Sequence, residues 1–180
     1  MRTLIFTGSL MATLAASAQS ADFVDAIFEI DEAAMIRAVN AQGGNLTDMT
    51  FQITAPGQAG AAFPGVASQV MYLQYTSVKS ATPDDQRTLS VDVVGGDFPA
   101  GVSLSLAANP AGTGSTGAGH EVVLSNTQQT GVLVSGIGSA YSGTSAGQGI
   151  PIVCLVNFTT EHLDASTAGV VSLQYTLSNY

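Results

Sequence analysis

One short segment places a histidine among carboxylates: Glu161-His162-Leu163-Asp164. An imidazole beside two carboxylates is raw material for a metal site or for proton transfer, yet this spacing fits no zinc or iron motif with a mechanical basis. A solvated turn between strands accounts for it, because Asp and Ser favour turns. The other histidine, His120, follows a glycine-rich stretch and precedes Glu121. Serine is abundant, but no Gly-x-Ser-x-Gly elbow occurs in a strand-turn-helix setting, and two histidines are the only available bases of that kind. Serine hydrolase chemistry is not expected. Glycoside hydrolysis needs two carboxylates converging on a cleft, whereas the carboxylates here fall mostly at turns or on the first strand.

Calcium is the softer alternative, since Asp84-Asp85 and the acidic series Asp22, Asp25, Glu29, Asp31, Glu32 supply oxygen ligands. Neither group has EF-hand loop spacing, and the series is accounted for as the water-facing side of a strand. Cys154 lies inside the apolar run Ile150-Pro-Ile-Val-Cys-Leu-Val-Asn-Phe158, where a buried small hydrophobe is expected before a reactive thiol. Asn45-Leu46-Thr47 and Asn157-Phe158-Thr159 satisfy a glycosylation sequon formally. No catalytic, cofactor-binding or metal-binding residue is assigned, and no cofactor is expected.

The chain begins in signal-peptide order: Met1-Arg2, an apolar run from Leu4 to Leu14, then Ala16-Ser17-Ala18. Residues 1–18 are expected to be removed, leaving a single domain over 19–180 in the periplasm, at the cell surface or outside the cell. The apolar run is too short for a stable span, which takes roughly 20 residues. One cysteine permits no disulfide within the chain. Loss of Arg2 leaves Arg37, Lys79 and Arg87 against thirteen carboxylates, one unit more negative than the −9 of the whole chain. So acidic a surface repels phosphate backbones and anionic headgroups, which disfavours nucleic acid and electrostatic membrane docking.

What must position these residues is strand. Apolar residues alternate at Val24, Ala26, Phe28 and Ile30, and again at Met49, Phe51 and Ile53, predicting two strands with one apolar face each. Ala33 to Val39 reads as a short strand or a helical turn. Further strands are expected at Val70 to Val78, Leu89 to Val93, Val102 to Leu106, Glu121 to Ser125 and Thr130 to Ser135, joined as a run of antiparallel hairpins. The segments 55–65, Asn109 to Gly119 and Gly136 to Gly149 are rich in Gly, Ser, Thr or Pro and read as loops. Ile152 to Phe158 is apolar on both parities, which predicts a central strand buried on two sides. The closing stretch alternates again, with Val171, Leu173, Tyr175 and Leu177 on one face. Tyr180 has the opposite parity, against the pattern of a closed outer-membrane barrel, whose lipid face is apolar and takes in the terminal aromatic. The expected fold is an all-β, Ig-like antiparallel sandwich of about 9 or 10 strands.

Leu73-Gln-Tyr-Thr-Ser77, Phe98-Pro-Ala-Gly-Val-Ser-Leu104, Val134-Ser-Gly-Ile-Gly-Ser139 with Tyr141-Ser-Gly143, and Leu173-Gln-Tyr-Thr-Leu177 give residues 70 to 180 a family likeness. This part resembles poorly characterised bacterial secreted β-sandwich proteins and, more distantly, pilin and spore-coat-type surface subunits. The resemblance implies an exported, non-enzymatic structural or adhesive protein, fimbria-like, whose partners are identical or related subunits added through strands. Residues 22–31 are either this domain's own edge strand or a donor strand for a neighbour. The alternative is a small carbohydrate- or calcium-binding module presented by the loops Asn109 to Gly119 and Gly136 to Gly149.

Overall fold

Strand alternation carries over into three dimensions almost wherever it is clean. The computed structural model describes residues 30–80, 86–163 and 169–179. The architecture below is that of residues 31–180. The expected signal peptide and nearly all of the expected strand at Val24 to Asp31 lie outside the described residues, as do Asp84-Asp85, Asp164 and Tyr180.

Among the described residues there are eleven strands: β1 (Ala33–Val39), β2 (Gln69–Val78), β3 (Arg87–Gly95), β4 (Val102–Ala108), β5 (Thr113–Gly114), β6 (Ala118–Gly119), β7 (Glu121–Leu124), β8 (Thr130–Ile137), β9 (Ala140–Tyr141), β10 (Ile150–Phe158) and β11 (Ser172–Asn179). No α-helix occurs among the described residues. They form two antiparallel sheets. A seven-stranded sheet runs β5-β9-β2-β10-β4-β7, with β1 on the other edge of β2, and a four-stranded sheet runs β11-β3-β8-β6. One hydrophobic core joins the two sheets into an all-β sandwich. Leu73, Leu106, Leu124, Ile150 and Ile152 from the large sheet meet Leu89, Val91, Leu133 and Ile137 from the small one, all fully buried. Each such side chain contributes about 1.5–3 kcal/mol when removed from water.

Four expectations need correction. Met49 to Ile53 is not a strand: Asn45 bridges Val39 and Leu46 N–H donates to Ala38 C=O, after which the chain leaves the edge of β1. Met49 and Phe51 still pack on the core, but by side chains without a ladder. The run of hairpins is also absent, because β2, β3 and β4 alternate between sheets, so each turn carries the chain across the sandwich. The loops at 109–119 and 136–149 contain β5, β6 and β9, two residues each, which stitch them to the sheets. Finally, β10 is central in its sheet, paired with β2 and β4, yet only its inner face is buried. Val153 and Leu155 on the other face are 40% and 39% exposed.

A bulge lets the chain change sheets. Between Leu89 and Ser90 the partner in β8 steps from Val134 to Val132, so Leu133 is the extra residue. Its carbonyl accepts from His120 N–H at 2.8 Å, the residue between β6 in one sheet and β7 in the other.

Candidate functional site

The residues first considered for chemistry do not converge. His162 and Glu161 sit on a short 3-10 turn, Thr160–His162, with no buried residue. His120 lies elsewhere, its Nε2 2.8 Å from Ser135 Oγ. Among the described residues no three His, Cys, Asp or Glu side chains are grouped to hold a metal ion. Glu32, from the acidic series, pairs with Arg87. Cys154 is buried in the core, its Sγ 3.7 Å from Ile152 C=O, and burial pushes the thiol pKa up to about 11. A thiol so placed is an inert packing group.

What the fold does bring together are the two small-residue loops. β9 pairs with β2 on one side and β5 on the other, which aligns Thr76, Tyr141 and Thr113 in one cross-strand row. Beyond β9 the chain folds over the outer face of β2. Ser142 N–H donates to Tyr75 C=O at 3.0 Å, and Tyr75 N–H donates to Ser142 Oγ at 2.9 Å. Gln74 then anchors the rest. Its Nε2 donates to Ser145 C=O and Gln148 C=O, both at 3.1 Å, while its Oε1 accepts from Arg37 Nε at 2.9 Å and Nη2 at 2.6 Å. This glutamine has the parity of an exposed position and is only 4% exposed. Burial of a carboxamide is tolerable because its bonds are made.

Between the loops lies a concavity of about 330 Å³ lined by residues 111–113, 141–143 and 147–149. Gly112, at φ 137°, lets the first loop touch the second: a Cβ there would stand 2.5 Å from Tyr141 C=O. Tyr141 is 55% exposed at its rim. No carboxylate, imidazole, amine or thiol lines the concavity. What the lining offers is hydrogen bonding and contact with an aromatic ring. A second depression of about 410 Å³, bordered by Pro99, Ser103, Val123, Asn126 and Thr159, also has no carboxylate, imidazole, amine or thiol in its lining.

The chain matches no known protein-family model, no curated protein and no solved structure.

Sequence reasoning missed two other features. The first is Arg87, 2% exposed between the sheets. Its guanidinium donates to Ser77 Oγ and Val78 C=O at 3.0 Å each, to Asn179 Oδ1 at 3.0 Å, to Ala33 C=O and to Glu32. The signal was available: Arg87 shares the inward parity of Leu89, Val91 and Val93. The second is an apolar patch outside the large sheet. Val153 stands opposite Val70 and Ala107, and Leu155 opposite Ser105, which faces Val123. Val70 and Val123 are 45% and 46% exposed.

Proposed function

We propose that the protein is an exported, non-enzymatic structural subunit that packs against further copies of itself through the outer face of its large sheet. The observation that carries this reading is β10. Its sequence is apolar on both parities, as in a strand covered on two sides, but among the described residues only one side is covered. The uncovered side continues into Val70, Ala107 and Val123, and a solvated antiparallel sheet normally presents polar residues there.

Charge argues for an identical partner. Two strongly acidic molecules repel at most points of contact, so a copy approaches best where charge is missing. The patch offers Val70, Ala107, Val123, Val153 and Leu155, with Glu121 only at its margin. A basic partner would instead be drawn to the carboxylates. The signal-like start of the chain supports export, and the edge strand β11 supplies a second, uncharged contact through which strands could be added.

Negative-stain electron microscopy of the purified mature chain and of the source cells tests this reading. Ordered assemblies, lost on Leu155→Glu, are the expected result. Discrete monomers under all conditions, with bare cell surfaces, would overturn it.

A further inference from the structure

We infer that the concavity between residues 111–113 and 141–149 is a binding site for a neutral saccharide, with a sugar ring laid against Tyr141. This is independent of the packing face, and four features of the site support it together.

The first is how firmly an exposed aromatic is held. Tyr141 is paired on both sides of β9, to Thr76 and to Thr113, so its backbone cannot swing away although its side chain is 55% exposed. A solvent-facing ring on a fixed backbone is a platform for the apolar face of a sugar. The second is the investment in the loop opposite. The buried Gln74 side chain holds residues 145 and 148 from beneath, and Ser145 N–H donates to Gln148 Oε1 at 3.0 Å. This last bond fixes the carboxamide of Gln148, a lining residue of the concavity, and that carboxamide carries N–H donors suited to hydroxyl groups.

The third feature is the lining chemistry. Thr113 and Gln148 each carry donors and acceptors, which is what a polyol requires. The lining has no charge at all in a chain of net charge −9. An anion would be repelled by the molecule and find no cation in the site; a cation would find no carboxylate. A neutral, hydroxyl-rich ligand meets neither objection. The fourth is size: about 330 Å³ is at the small end of ligand pockets, which run from roughly 300 to 1,000 Å³, and admits a short stretch of glycan.

The test is a titration of the mature chain with maltohexaose, cellohexaose, laminarihexaose and chitohexaose, followed by amide chemical shifts and calorimetry. At least one is expected to bind with Kd on the order of 0.1–1 mM, shifting amides of residues 111–113 and 141–149. Salt should leave the affinity unchanged, since no charges are involved. Tyr141→Ala should weaken binding about tenfold or more, Tyr141→Phe should retain it, and Gln148→Leu should weaken it without touching the ring. Both positions are exposed, so melting temperatures of the free variants should stay near wild type. No shift with any of the four sugars, shifts located elsewhere, or undiminished binding by Tyr141→Ala and Gln148→Leu would each overturn the inference.

Discussion

Arg87 shows how much one side chain can tie together. A guanidinium cannot shed its charge in a protein, so a buried one must have its donors met. Here β1, β2 and β11 supply the acceptors, and Glu32 supplies the counter-charge. Arg87→Met should therefore destabilise the fold by about 3 kcal/mol in denaturant melts, because Ala33 C=O, Val78 C=O and Ser77 Oγ all lose their donor. Glu32 is different: its side chain is 46% exposed. Glu32→Gln should cost less than about 1 kcal/mol, and an equal loss from the two changes would contradict the assignment. Burial also sets an alkaline limit. It raises the Cys154 thiol from 9.0 to about 11 and raises the Tyr75 phenol. The Tyr175 phenol is raised as well, by burial first and then by the neighbouring Cys154. The folded chain keeps these protons while the unfolded chain releases them, so stability is full below about pH 9 and falls as pH climbs through 11. Each group contributes a slope of about 1.4 kcal/mol per pH unit in its window. Urea midpoints measured from pH 7 to 11 should show this fall, with a smaller loss between 9 and 11 in Cys154→Ala; a flat profile would contradict it.

At the level of elements, β10 and β11 read differently in the sequence and in the fold. In β11 the parity of Leu173, Tyr175 and Leu177 alone gave the right answer: all three pack toward the core, and the Tyr175 hydroxyl donates to Met71 Sδ at 3.5 Å. Parity was equally sound for β3 and β4, whose Leu89, Val91, Val93, Leu104 and Leu106 all pack in or against the core. It was incomplete for β10, since alternation shows which faces are apolar but not what covers them. Gln74 failed in the opposite direction, a polar residue of outward parity buried by a loop from 71 residues away. No local pattern foretells that contact. The concavity was legible as two loops of small residues, but their meeting depends on the pairing of β5 with β9, two residues against two. Met49 to Ile53 alternates perfectly and still forms no ladder, because a strand also needs a neighbour with free backbone groups. For β11 a prediction follows from its other side. Ser172–Asn179 contains no charge or proline, the usual guards of an edge. Among the described residues only β3 pairs with it. Gln174→Lys with Thr176→Lys, both on the exposed face, should suppress any fibre growth seen by light scattering while leaving the monomer's melting temperature within a few degrees. Fibres unaffected by the two lysines would remove β11 from the assembly.

The whole molecule combines an acidic surface, a sandwich core without disulfides, and one uncharged apolar sheet face. The core draws on both sheets, and a chain this long can bury enough apolar surface to fold without cross-links. The acidity keeps molecules apart except where charge is absent, and the open face of β10 is such a place. The saccharide site lies on the same sheet but on the β5-β9 side, whereas the packing face lies over β10, β4 and β7. Self-association and glycan binding are accordingly separable by mutation. Most direct for the central claim is sedimentation velocity of the mature chain over about a hundredfold range of concentration, beside Val153→Lys with Leu155→Glu. The wild type should shift from monomer to larger species as concentration rises, and the double variant should stay monomeric with its unfolding free energy changed by no more than about 0.5 kcal/mol. A wild-type chain that remains monomeric throughout, or a variant that associates as well as the wild type, would contradict the account.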